Sequence, residues 1–165
     1  MTRVLVTGHS LGAGLATLHS LDLETHLLPR LDARRAARER CFGRALAGPR
    51  VPTRETYTFA SPRVGDRTFA KWYEDKVRRS FRVVLDGDLV TNAPPAFLGY
   101  KHVGVHCVYD GLGSLIVQPH GFESAVHLSY RSSFKNHMAS SYAHAIRTTG
   151  AGPSAETTLA PEHFS

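Results

Sequence analysis

The stretch VLVTGHSLGAGLATL, residues 4–18, restricts the possible folds of this chain more than any other segment. It opens with an apolar, β-branched run at residues 4–6, which is typical of a buried strand. Residues 11–28 are largely apolar and predict a helix, and the glycines between the two runs predict a tight turn. A strand, a sharp turn and a helix are the unit from which α/β folds are built.

Two chemical interpretations fit this turn. From Thr7 it reads T-G-x-x-x-G-x-G, which resembles the phosphate-binding turn of short-chain dehydrogenases. From Gly8 it reads G-H-S-L-G, a G-x-S-x-G turn that presents a serine nucleophile. None of the six tyrosines has the lysine four residues later that a short-chain dehydrogenase needs. We therefore favour the hydrolase interpretation, with Ser10 as nucleophile and Gly8 and Gly12 as the small residues that let the two backbones cross.

The rest of the chain continues the alternation of strands and helices. Strands are predicted over residues 56–60, 80–85, 102–110 and 113–119, and helices over residues 65–77 and 137–146. In the last helix Met138, Tyr142 and Ile146 recur on one face, which predicts that this face packs on the core. The order indicates a mostly parallel sheet flanked by helices.

An arginine-rich segment, residues 29–50, carries much of the formal net charge of +6. It contains no interleaved aromatic residues and no nucleic-acid motif, so we expect no nucleic-acid partner. We interpret it as a solvated surface helix bounded by Pro29 and Pro49, within a basic insert at about residues 29–54. Contact with anionic lipid or with an acidic partner is the alternative.

The composition predicts one domain without a metal or an organic cofactor. No apolar run approaches the roughly 20 residues of a membrane span, and the first residues lack the features of a secretory signal. The two cysteines have no C-x-x-C spacing, and the ten histidines show no H-E-x-x-H motif. Residues 148–165 are small, polar and proline-containing, and predict a disordered tail. The compartment stays open.

Four segments, in this order, resemble the class 3 lipases, the family of fungal triacylglycerol lipases. They are VTGHSLGAGLATL, TFASPRVGDRTFA, FRVVLDGDLVTNAPP and GYKHVGVHCVYD. The likeness covers residues 3–110 and continues more weakly to about residue 147. It implies a class 3 lipase-like α/β-hydrolase domain over residues 1–147 that hydrolyses acylglycerol esters at a lipid–water interface.

The resemblance also implies a catalytic acid and a catalytic histidine. In this family the acid opens the pattern D-x-V-x-x-x-P-P, here DLVTNAPP, which places the role on Asp88; we expect Asp86 to serve the turn instead. His137 precedes a final helix with a tyrosine, as the catalytic histidine of the family does. His127, in the tetrapeptide HLSY, is the alternative. We favour His137 because an amphipathic helix follows it directly.

In the implied mechanism Ser10 attacks the ester, and the backbone N–H of Leu11 donates to the oxyanion. We expect His9 to pack beside the nucleophile and His102 to be structural, with both ring nitrogens satisfied.

The resemblance begins at the strand before the serine and covers the C-terminal half of the family's catalytic domain. The other half would hold a second oxyanion donor and a lid, and would be a partner if the sequence is a fragment. A catalytically inactive lipase-like protein that binds lipid or a protein is the alternative interpretation.

Overall fold

A computed structural model describes residues 3–43, 53–110, 114–118 and 133–149 of the chain. The strands are β1 (Arg3–His9), β2 (Thr53–Phe59), β3 (Gly65–Asp66), β4 (Ser80–Leu85), β5 (Tyr100–Lys101), β6 (Val105–Tyr109) and β7 (Leu115–Val117). The α-helices are α1 (Leu11–Asp22), α2 (Leu28–Phe42), α3 (Arg67–Lys76) and α4 (Ala139–Thr149). His127, Pro49 and residues 150–165 of the predicted tail lie outside the described residues.

Five strands form the main sheet in the order β1-β2-β4-β6-β7, and β3 and β5 form a separate two-stranded ribbon. The first four strands of the main sheet are parallel, and β7 is antiparallel to β6. Parallel neighbours require crossover connections; α1 and α2 lie between β1 and β2, and α3 lies between β2 and β4. The predicted class, a mostly parallel sheet flanked by helices, is confirmed.

Successive side chains of a strand point to opposite faces of the sheet, and the helices and loops that pack on it form two hydrophobic clusters. On one face Leu21 of α1 packs with Tyr73 of α3 and with Val77, the residue directly after α3. On the other face Val83 of β4 and Cys107 of β6 pack with the final helix. Helices therefore lie on both faces of the sheet, although Leu5 on the edge strand β1 is 61% exposed.

The helical run after β1 differs from the predicted single helix over residues 11–28. A π-helical turn, Leu23–Leu27, separates α1 from α2, and Pro29 lies in the first turn of α2 instead of bounding it. Proline inside a regular helix removes an N–H and clashes with the carbonyl four residues earlier. The wider π turn just before Pro29 relieves this conflict, and helix continues to Phe42.

The final helix differs from its prediction in both its bounds and its core face. It begins at Ala139 and runs to Thr149, two residues into the predicted tail. Tyr142 is 3% exposed, but Met138 and Ile146 are 58% and 41% exposed. Tyr142 and Ala145 are the buried pair, because spacing of three residues, not four, faces the sheet here. The predicted strands at 102–110 and 113–119 are also shorter than expected.

Arg82 and His106 occupy neighbouring positions of β4 and β6, and His102 lies just before β6. Burial lowers the pKa of Arg82 to about 10. Burial, together with the charge of Arg82, lowers the pKa of His102 to about 2 and that of His106 to about 4. His102 Nδ1 is buried without a hydrogen-bond partner in the described part of the chain, so the expectation that both its ring nitrogens are satisfied is wrong. Both histidines stay neutral beside the arginine.

We expect His106 to make stability depend on pH. The unfolded chain binds a proton at His106 near pH 6.5, whereas the folded chain binds it only near pH 4, so stability is full above this window and falls as the pH drops through it. Between pH 6.5 and pH 4, the free energy of unfolding of His106→Gln should fall by on the order of 2 kcal/mol less than that of the wild type. Urea unfolding at a series of pH values measures both. Parallel curves for the two proteins would contradict this.

Candidate active site

Ser10 lies at the junction of β1 and α1 in a conformation that few residues adopt. Its φ of 58° and ψ of −127° lie outside the favoured regions for an L-amino acid. The Ser10 N–H donates to the Phe59 carbonyl at 3.0 Å, which extends the β1–β2 ladder to the serine. The Ser10 carbonyl accepts from the Ala13 N–H at 2.9 Å, which starts the helix. Strand and helix thus hold a strained turn that presents Ser10 Oγ at the carboxyl end of β1.

The two glycines of the motif have different surroundings. A Cβ on Gly8 would lie 2.8 Å from the Ala13 nitrogen and closer still to the carbonyl group of Gly12. A Cβ on Gly12 would meet no described atom within 4 Å apart from its chain neighbours and the backbone of its own helix. Contact between strand and helix therefore requires glycine at position 8, and no described contact requires it at position 12.

Leu11 is the first residue of α1, directly after the serine. Its N–H is one of the four at a helix start that have no intrahelical acceptor. An oxyanion formed beside Ser10 Oγ would meet this donor and the positive end of the α1 dipole.

Asp88 is 2% exposed and follows β4 at the same edge of the sheet. Its carboxylate accepts from the Val90 N–H at 2.9 Å and from the Tyr142 hydroxyl at 2.7 Å. Its own carbonyl accepts from the Thr91 hydroxyl at 2.8 Å. These bonds fix the buried carboxylate in one orientation.

The segment that carries His137 is tied to the turn that carries Asp88. The Ser133 N–H donates to the Gly87 carbonyl at 3.0 Å, and the Asn136 side chain donates to the Asp86 carbonyl at 2.7 Å. The backbone of Asp86 thereby positions the histidine segment, while the carboxylate of Asp88 contacts the imidazole.

His137 lies between the serine and the aspartate. Its Nε2 is 2.7 Å from Ser10 Oγ, and its Nδ1 is 3.1 Å from each oxygen of Asp88. Because an ionised carboxylate only accepts, Nδ1 carries the proton and Nε2 of the neutral ring accepts from the serine hydroxyl. The structure therefore brings together Ser10, His137 and Asp88, three side chains that are distant in sequence.

Tyr142 joins the site although we did not predict it as a site residue. Its hydroxyl donates to Asp88 and accepts from the Leu85 N–H at 3.0 Å. Burial, with Asp88 beside the phenol, raises the pKa of Tyr142 far above its usual range, so the hydroxyl keeps its proton. The sequence signal was present in the tyrosine of the final helix, but a contact between Tyr142 and Asp88 cannot be read from spacing.

His9 packs beside the reacting groups. Its ring centroid lies 5.1 Å from that of His137 and 5.6 Å from that of Tyr142. This agrees with the expectation that His9 is a packing neighbour of the nucleophile.

Neither a metal site nor a membrane helix is found in the described part of the chain. No group of three or more His, Cys, Asp or Glu side chains that could hold a metal ion occurs within the described ranges. Within the same ranges, no helix combines the length and the apolar character needed to cross a membrane.

Comparison with models of known protein families identifies the family of this chain. The family model described as Lipase (class 3) matches residues 1–98. The chain belongs to the class 3 lipase family.

Curated relatives share about a third of their aligned residues with this chain. A secreted mono- and diacylglycerol lipase of Malassezia globosa is 34% identical over 101 residues, which cover 61% of this chain and 26% of the relative. Phospholipase A1-II 2 of Oryza sativa subsp. indica is 33% identical over 130 residues, which cover 76% of this chain and 28% of the relative. The chain thus spans about a quarter of the length of these relatives.

Solved structures agree on the fold. The Rhizomucor miehei lipase in its propeptide complex matches with 28% identity and a TM-score of 0.57, over 82% of this chain and 39% of that chain. Lipase II from Rhizopus niveus matches with 25% identity and a TM-score of 0.57, over 82% of this chain and 45% of that chain. The sheet and helices are those of the α/β-hydrolase fold.

The contrast between the two glycines leads to a prediction. Gly8→Ala should destabilise the protein by ~3 kcal/mol, because its methyl group meets backbone that cannot move aside. Gly12→Ala should be neutral or should stabilise α1 by up to ~1 kcal/mol through higher helix propensity. Denaturant unfolding measures both. Equal losses for the two variants would contradict the difference in packing.

Proposed function

We propose that this protein is a serine carboxylic ester hydrolase that acts on acylglycerol lipids. Ser10 is the nucleophile, His137 the general base and acid, and Asp88 the group that orients the imidazole. The observation that carries the proposal is the hydrogen-bonded series from Ser10 Oγ through both ring nitrogens of His137 to Asp88. Family membership supports the same chemistry.

The first half of the reaction forms an acyl-enzyme. His137 Nε2 removes the proton of Ser10 Oγ as that oxygen attacks the ester carbonyl carbon. The carbonyl oxygen becomes an oxyanion and accepts from the Leu11 N–H. The tetrahedral intermediate collapses when His137 returns the proton to the leaving alcohol, which breaks the ester bond. Asp88 stabilises the imidazolium in between and stays ionised.

The second half releases the acid. His137 removes a proton from water, and the hydroxide attacks the acyl carbon on Ser10. Collapse of this intermediate returns the proton to Ser10 Oγ and releases the carboxylic acid.

Apolar side chains beside the reacting groups favour a lipid substrate. Leu11 follows the serine directly, Met138 follows His137 directly, and Phe134 lies three residues before His137; all three side chains are exposed. An acyl chain bound over the serine would cover such surface. The names of the relatives include both an acylglycerol lipase and a phospholipase A1, and we propose the acylglycerol ester for this chain.

A fluorophosphonate probe tests the nucleophile and the base on the purified chain. We expect covalent labelling at Ser10 that is abolished in Ser10→Ala and slowed at least ~10⁴-fold in His137→Ala. The matched control is His127→Ala, which should be labelled at the wild-type rate. Loss of labelling in His127→Ala with retention in His137→Ala would move the base to His127. A well-folded chain that is never labelled would favour the inactive, lipid-binding interpretation.

Tyr142→Phe tests how Asp88 is held. Removal of one hydrogen bond to a buried carboxylate should reduce kcat/KM for a soluble ester roughly 10-fold, while KM stays constant. Asp88→Asn should reduce it by about 10⁴-fold, because the amide favours the wrong imidazole tautomer. The same activity in Tyr142→Phe and wild type would show that Val90 and His137 suffice to orient Asp88.

A further inference from the structure

Helix α2 is almost entirely exposed. Of its fifteen residues, all within the described part of the chain, Leu28 is the single buried one. A helix that belongs to a globular core normally buries an apolar stripe along its length. The many alanines and arginines of α2 favour the helical conformation without such packing. Its outer face is therefore available to another surface.

The charges of α2 are segregated between two sides. One side carries three arginines at intervals of four residues, namely Arg30, Arg34 and Arg38. At 100° per residue, both acids of the helix, Asp32 and Glu39, fall on the opposite side. There Arg35 pairs with Glu39 at 3.1 Å. The arginine side therefore holds three positive charges and no acid.

Large apolar side chains share the arginine side. Leu27, at the start of α2, and Leu31 and Phe42 lie within about 60° of one another around the axis. They are 44%, 48% and 66% exposed. We define the basic–apolar face as residues 27, 30, 31, 34, 38 and 42. Its arginines alternate with the apolar side chains, so both would reach one flat partner.

We propose that the basic–apolar face of α2 docks on the surface of an anionic phospholipid bilayer. Negative headgroups would pair with the three arginines, and the three apolar side chains would enter the headgroup–acyl boundary. A nucleic acid, or a protein surface that offers acidic groups alone, would satisfy the charge and leave Leu31 and Phe42 without an apolar environment. The combination of charge and apolar exposure therefore favours the bilayer.

This surface is separate from the candidate active site. Leu27 follows Ser10 by about 17 residues of nearly continuous helix, so the face begins roughly 25 Å along the helix from the serine. Docking would hold the protein at a lipid surface without covering Ser10. The inference does not depend on whether Ser10 hydrolyses esters.

Vesicle co-sedimentation of the whole chain tests the docking. The probes are phosphatidylcholine vesicles with phosphatidylserine and vesicles of phosphatidylcholine alone. We expect binding to the anionic vesicles, with partitioning reduced on the order of 100-fold in R30Q/R34Q/R38Q. The matched control, R67Q/K71Q/R78Q, removes the same charge from exposed positions in α3 and two residues after its end, and should keep most of the binding. High salt should weaken the interaction.

A second variant separates the bilayer from other anionic partners. L27S/L31S/F42S keeps every charge and should lower partitioning into anionic vesicles at least ~10-fold. Because all three side chains are exposed, circular dichroism should show an unchanged fold.

Equal binding by wild type and R30Q/R34Q/R38Q would overturn the proposal. Binding to a DNA duplex that exceeds binding to anionic vesicles would overturn it as well. Ser10→Ala should bind vesicles like the wild type, so loss of hydrolysis and loss of docking are measured independently.

Discussion

The carboxylate of Asp88 is the interaction on which the candidate site depends. A buried charge costs several kcal/mol unless hydrogen bonds replace its water. Here the bonds come from three places in the chain: Val90 in the same turn, His137 in the segment before α4, and Tyr142 within α4. Each of these hydrogen bonds also holds in place the part of the chain that carries the donor. The carboxylate therefore assembles the site as well as orienting the imidazole.

The serine is fixed by a different physical device. Its backbone adopts a strained conformation, which persists because the β1–β2 ladder holds one side and the first turn of α1 holds the other. Gly8 lets the strand lie directly against the backbone of the helix at Gly12 and Ala13, which fixes the angle of the turn between them. The backbone that carries the hydroxyl is therefore held by regular secondary structure on both sides and not by a flexible loop. A rigid nucleophile facing a rigid imidazole requires little reorganisation during attack.

Local features were predictable from the sequence, and contacts that depend on tertiary packing were not. Strand β4 matches its predicted bounds because its apolar, β-branched run ends in a polar turn. The turn at Ser10 is equally local. The contact between His137 and Asp88 joins positions 49 residues apart and was expected only through a family resemblance. The role of Tyr142 and the burial of Arg82 beside two histidines arise from packing, which no periodicity encodes.

The candidate active site and the basic–apolar face are joined by one nearly continuous helical run, α1, the π turn and α2. Ser10 caps α1 at the carboxyl edge of the sheet, and the basic–apolar face occupies α2 beyond the π turn. Glu24, within that turn, pairs with Arg54 of β2 at 2.6 Å, which ties the junction of the two helices to the sheet. The separation of the serine from the face is therefore set by helix rise and by this anchor, not by a flexible loop. A protein held at a bilayer through α2 would keep its serine at a fixed distance from the docking face, so the orientation of the whole sheet would decide how an ester reaches Ser10.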